Sequence, residues 1–245
     1  MSRINILQTY IDNLSMSETL SRVFDAIDQN EQIHHVVVNA GKIVAIQTDP
    51  RLKQSVNNSD LINADGQAVV WASRFLGKPL KERVAGIDLM TNLVESAHKN
   101  GHKIFFLGAK EEIVKQVVNV YSKKYSEKLI AGYRNGYFRA EDEGKIAQEI
   151  ADSGANILFV AISSPKKEIF LYKNKTILKP VNFIMGVGGS FDVVAGKVKR
   201  APRWMQKSGL EWFYRLVQEP NRMWKRYLVG NSKFILLVLR ERFKF

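Results

Sequence analysis

The sequence predicts an α/β protein, a mainly parallel sheet with helices on both faces, followed by a basic helical appendage. Three observations predict it. Five short β-rich runs alternate with segments of helical period, the runs are apolar at consecutive positions, and basic residues crowd toward the end of the chain. At 245 residues, 45% hydrophobic and 25% charged, the chain can bury a sizeable core. The expected division is one main domain over residues 1–196 and an appendage over residues 197–245.

A first helix is expected over residues 17–30, opened by Ser15 and Glu18 as a capping box. Residues 34–39, 103–107, 129–133, 157–162 and 181–185 read as buried strands. Helices are expected between them over residues 67–76, 89–100, 111–125, 141–153 and 167–175, the last stopping before Pro180. Such alternation gives a Rossmann-like arrangement whose ligands bind at the carboxyl ends of the strands. In the appendage, Pro202 and Pro220 bracket one amphipathic helix over residues 207–218. Residues 221–239 read as another, with Gly230 its weak point.

With no cysteine, disulfides, thiolate metal sites and a cysteine nucleophile are excluded. Four histidines do not make a zinc site. His98 and His102 are four apart, but Gly101 falls between them at an expected helix end, so they read as surface residues. Of the formal charge of +13, the last 47 residues hold +9, twelve Lys or Arg against three Glu. That excess points to an anionic partner: nucleic acid, anionic lipid or a phosphorylated substrate. No secretory signal is expected, because the first ten residues lack a basic stretch followed by an apolar one. The six-residue apolar run 234–239 is far short of the roughly 20 that a spanning helix needs.

Two segments could carry chemistry. Asn63-Ala-Asp65-Gly66-Gln67 follows the apolar pair Leu61-Ile62, which places Asp65 either to cap the next helix or to act as general base in the ligand crevice. Gly186-Val-Gly188-Gly189-Ser-Phe-Asp192 follows the run 181–185 and reads as a phosphate nest or as a tight turn. It is not the dinucleotide fingerprint. Lys81, Arg83, Lys197, Lys199, Arg200 and Arg203 flank these segments and would suit a diphosphate or a solvated surface. Ser163-Ser164-Pro165-Lys166-Lys167-Glu168 forms another loop on the expected ligand edge.

The run from Asn63 through Arg83-Val-Ala-Gly86-Ile-Asp88 resembles the signature of the WecG/TagA/CpsF glycosyltransferases, a bacterial family that elongates lipid-diphosphate-linked sugars. Asn39-Ala40, the segment 164–168, the segment from Gly186 to Trp204 and Glu219-Pro-Asn-Arg222 agree in order. The resemblance implies an inverting, metal-independent transfer of a hexose or N-acetylhexosamine from UDP to an undecaprenyl-diphosphate sugar, with no cofactor. It makes Asp65 the base and puts Asn39 and Arg83 in the active site. Gly186, Gly188, Gly189, Asp192, Lys167 and Glu168 fall at the nucleotide-sugar site. It also brings Arg200, Arg203, Arg215, Arg222, Lys225 and Arg226 to the acceptor diphosphate or to an anionic membrane surface on the cytoplasmic face, with the appendage aromatics in the interface. No nucleic-acid partner is expected.

Two positions depart from the family pattern. Val37 stands where many members have threonine, and Lys167 where they have glutamine, so a hydroxyl and an amide give way to an apolar group and a cation. Either the donor sugar differs or those contacts come from elsewhere. The run 64–73 with Asn39-Ala-Gly-Lys42 looks closer to the exopolysaccharide branch, which includes xanthan-type glucosyltransferases. The competing class is a non-enzymatic module whose basic, aromatic tail binds nucleic acid, and it leaves Asp65 and Gly188 without a role. A nucleotide-dependent oxidoreductase lacks its fingerprint.

Overall fold

A computed structural model describes residues 3–243, apart from the side chains of Arg222, Lys225 and Arg226. The chain opens with an antiparallel hairpin, β1 (Arg3–Ile6) and β2 (Thr9–Asp12), then α1 (Met16–Asp28). Next come β3 (Ile33–Val38), α2 (Ala40–Ile46), α3 (Pro50–Asn57), β4 (Leu61–Ala64), α4 (Gln67–Phe75) and α5 (Gly86–Lys99). They are followed by β5 (Ile104–Gly108), α6 (Glu111–Lys124), β6 (Ile130–Arg134), α7 (Glu143–Asp152), β7 (Ile157–Ala161), α8 (Lys166–Lys173) and β8 (Phe183–Gly186). After α9 (Ser190–Val194) the C-terminal segment holds α10 (Arg203–Lys207), α11 (Glu211–Gln218), α12 (Pro220–Trp224), a π-helical turn (Lys225–Val229) and α13 (Gly230–Phe243).

The main sheet has the order β4-β3-β8-β7-β5-β6, and every pairing in it is parallel. The α/β expectation holds. Alternate residues of each central strand enter opposite cores: Phe106, Phe159 and Phe183 pack under α1, α5, α6 and α9, whereas Phe105, Leu158 and Ile184 pack under α7 and α8. This two-sided burial is why the strands read as continuous apolar runs. At the β4 edge, Asp12 accepts the Ile62 N–H at 2.8 Å and pairs with Arg3 at 3.1 Å, so the hairpin satisfies part of an otherwise open strand.

Ser15 closes the expected capping box with Glu18, and α1 begins at Met16. The helix expected over 207–218 is instead two pieces. Gly209 adopts φ +74° after α10, a left-handed turn that ends one helix before Glu211 starts the next. The helix expected over 221–239 is likewise divided, by the π-helical turn before Gly230. Helix α13 packs on α2, burying Phe234 and Val238 in the core shared with Ile43 and Val38. Its Glu241 accepts the Leu7 N–H at 2.9 Å and pairs with Lys78 at 3.2 Å. Among the described residues no helix is long and apolar enough to cross a membrane.

Two histidines of β3 are buried. His35 donates from Nε2 to Asn63 Oδ1 at 2.9 Å, and Asn63 in turn donates to Thr19 at 3.2 Å, tying β3, β4 and α1 together. His35 Nδ1 and His34 Nε2 have no hydrogen-bond partner among the described residues. Burial pushes His34 down to about 4 and His35 down to about 3, from 6.5. Both are therefore neutral in the fold, and between pH 6.5 and about 4 the unfolded chain binds more protons. Stability is fully present above pH 6.5 and declines as pH falls through that window, by up to about 1.4 kcal/mol per pH unit per histidine. Denaturant titrations at pH 7 and pH 5 check this, and His34→Gln is expected to flatten the slope.

Candidate active site

Because the sheet is parallel, its strands all end on one edge, and the order sets β4, β3, β8 and β7 side by side there. The loops that leave them surround a cavity of about 1950 Å³. Asp65 directly follows β4, its N–H bonded to the Val38 carbonyl at 2.9 Å. Its Oδ1 accepts the N–H of Gly86, the first residue of α5, at 2.9 Å. Asp65 does not cap the helix that begins at Gln67: Gly66 is that N-cap and no side chain caps it. Desolvation raises the Asp65 carboxyl above the ordinary range, against the pull of the Gly86 N–H and of Arg83, and Glu211 raises it further. A carboxylate so placed has Oδ2 left to take a proton.

Asn39 directly follows β3 and caps α2, accepting the Lys42 N–H at 3.0 Å, while its Cβ packs on Gly66. Arg83, in the loop before α5, donates to Glu211 at 3.0 Å. Glu211 also accepts from Arg200 at 3.2 Å, and Arg200 grips both oxygens of Asp88. This chain of four charges fastens the start of α11 to the start of α5, next to Asp65.

At the end of β8, Gly186 has no room for a side chain: a Cβ would stand 2.5 Å from the Lys167 stem. Lys167 thus lies across the glycine turn, its Nζ 3.5 Å from Glu168. Gly188 takes φ +53°, and the N–H groups of Gly188 and Gly189 make no hydrogen bond to any described residue. Arg215 from α11 packs over Gly189. Glu168 does not line the cavity. It is buried behind the wall, held by Lys42 at 2.8 Å. Burial opposes its ionisation, but Lys42 and Lys167 outweigh that and bring its carboxyl down to about 2.

Of the other sequence-predicted residues, Asp192, Lys197, Lys199 and Arg200 line the cavity. Arg203 is exposed outside it, and Lys81 pairs with Glu18 on the surface. The side chains of Arg222, Lys225 and Arg226 lie outside the described residues. His98 and His102 carry no metal cluster among the described residues. Val37 and the Ser163–Lys167 loop lie on the cavity wall.

A family model described as "Glycosyl transferase WecG/TagA/CpsF family" matches residues 4–245. The chain belongs to this family. It is 42% identical over 186 residues to an N-acetylglucosaminyldiphosphoundecaprenol N-acetyl-beta-D-mannosaminyltransferase of Bacillus subtilis (strain 168), covering 76% of this chain and 71% of the relative. It is 36% identical over 215 residues to a protein of the same name from Bacillus spizizenii, covering 88% of this chain and 82% of the relative.

Sequence reasoning missed Glu211 as a lining residue of this cavity. Nothing local marks it, since its partner Arg83 is 128 residues away. Lys42 had a signal, being three residues after a helix-capping Asn. If Asp65 must be ionised for turnover, the acid limb of kcat/KM lies above the ordinary carboxylate range. Glu211→Gln removes a negative charge beside Asp65, so the limb is expected to move to lower pH. Arg83→Gln removes a positive charge and should move it higher. A pH–rate series on both variants checks the two signs.

Proposed function

We propose that this chain is an inverting transferase moving a hexose or N-acetylhexosamine from a UDP-sugar to an undecaprenyl-diphosphate-linked sugar, with Asp65 as general base. The observation that carries this is the placement of a desolvated carboxylate, two open glycine N–H groups and paired arginines on one cavity wall. The acceptor hydroxyl gives its proton to Asp65 as its oxygen attacks the sugar's anomeric carbon. The bond from that carbon to the diphosphate oxygen breaks, and UDP leaves with the electron pair. The leaving charge is met by Gly188, Gly189, Lys167 and Arg215, groups of the kind that stabilise a developing anion where it forms. Asn39 and Arg83 orient the reacting groups, and Glu168 fixes Lys42 and Lys167.

The transfer is proposed to be metal-independent, since no three His, Asp or Glu side chains cluster as ligands among the described residues and cations already surround the turn. The two relatives' names favour N-acetylmannosamine as donor sugar and N-acetylglucosaminyl diphosphoundecaprenol as acceptor. Glucose and an exopolysaccharide product are the other reading, motivated by Val37 and Lys167. The basic appendage is proposed to hold the enzyme on the cytoplasmic face of the membrane, where each Lys or Arg near an anionic surface contributes about 1 kcal/mol. A nucleic-acid partner would give a strongly salt-dependent gel shift and no sugar transfer.

Asp65→Asn keeps the shape and removes the base. Turnover is expected to fall by roughly 10² to 10⁴ while UDP affinity stays near that of the parent. Near-parental turnover would refute Asp65 as base. Turnover of UDP-N-acetylmannosamine and UDP-glucose in excess chelator decides both the donor and the metal question, and a collapse restored by Mg²⁺ or Mn²⁺ would overturn metal independence.

A further inference from the structure

The cavity is larger than a nucleotide-sugar needs. Small-molecule sites commonly measure about 300 to 1000 Å³, and this one is about 1950 Å³. Part of the surplus is an arm between α4 and α13, continuous with the space over Asp65. Its floor is α2, where Gly41, Val44 and Ala45 leave little bulk. Only Asn39 Oδ1, at 3.5 Å, comes within 4 Å of where a Gly41 Cβ would stand. Trp71 and Phe75 of α4 line one side, 50% and 47% exposed, with the Trp71 ring tip beside Gly209 and Phe75 edge-on to Phe243, and Ile235 and Leu239 of α13 line the other, with Ile235 57% exposed. Helix α13 docks through Phe234 and Val238, which are buried, so the exposure of Ile235 is not explained by holding the helix in place.

The cavity is split in polarity. Arg83, Lys167, Arg200 and Arg215 gather around the sheet edge, whereas α2, α4 and α13 contribute only Lys42 and Lys233 as charged side chains to the wall. A ligand with a charged head and an apolar tail matches this split. A nucleic acid, charged along its whole length, does not. We propose that the arm binds the isoprene units next to the diphosphate of the polyprenyl acceptor, so that the lipid is gripped by chain as well as by head while its sugar lies over Asp65. Apolar, half-exposed aromatic and aliphatic side chains gain by covering such a chain, at roughly 25 cal/mol per Å² removed from water. The inference rests on the glycosyltransferase reading and adds where the lipid lies.

The test uses the full chain in detergent without vesicles, and two acceptors with the same sugar diphosphate, one on a long polyprenyl chain and one on a short alkyl chain. The unaltered enzyme is expected to show a KM about tenfold lower for the long chain, equivalent to about 1.4 kcal/mol. Ala45→Phe, which fills the floor, should erase that preference by raising the long-chain KM. The kcat and KM for the short acceptor and the KM for the UDP-sugar should stay unchanged. Ile235→Asp, at an exposed position on the facing wall, should do the same without disturbing the core. Equal KM values for both acceptors in the unaltered enzyme would overturn the proposal. So would a chain-length preference that survives both variants, which would put the tail in the micelle or bilayer. Equal losses on both acceptors would mean that the variants act through the fold, and would overturn it too. If the unaltered enzyme turns over neither acceptor with any UDP-sugar, the glycosyltransferase reading itself fails, a distinguishable result.

Discussion

A six-stranded parallel sheet buried on both faces leaves polar chemistry almost nowhere to go except its ends, and this constraint organises the molecule. Every strand presents its carboxyl end at the same edge, so the loops after β4, β3, β8 and β7 must meet there. Asp65, Asn39, the glycine turn and the Ser163–Lys167 loop are neighbours for that reason, although they span more than half of the chain. Phe105, Phe106, Phe159 and Phe183 fill the cores behind that edge.

The edge alone does not complete the site. The ion chain from Arg83 through Glu211 and Arg200 to Asp88 brings α11 over it, and Arg215 follows on the same helix. Arg83 and Arg200 therefore already have carboxylate partners. Any anion that is to bind these two arginines must compete with Glu211 and Asp88 instead of meeting bare cations, which lowers gross attraction and discriminates against anions that cannot replace the carboxylates. Glu211 has a second effect, since its charge adds to the desolvation that already raises the Asp65 carboxyl above the ordinary range.

What the sequence disclosed follows from range. Strands β3, β5 and β7 are legible because two-sided burial leaves consecutive apolar residues. The hairpin is not, because its turn is Leu7-Gln8, both at positive φ without the Asn or Gly that normally marks such a turn. Helix α2 hides because Ile43, Val44 and Ile46 read as strand, and the Asn39 cap overrides that tendency. Asp65, Asn39, Arg83 and the glycine turn were legible as motif residues, and the structure brings them to one cavity. Arg203 falls outside it and Glu168 behind it, because neither the local pattern nor the family signature says which way a side chain turns once the helix is placed.

The docking of α13 on α2 has a consequence for synthesis. Helix α2 is made early, and the surface that Phe234 and Val238 cover stays open to water until α13 leaves the ribosome, after every strand has been made. Until α11 in turn has been made, Arg83 lacks Glu211 and the glycine turn lacks Arg215. A nascent chain can therefore assemble its sheet well before it owns a finished cavity. Over that interval the uncovered α2 face is a natural target for chaperones that bind exposed apolar surface.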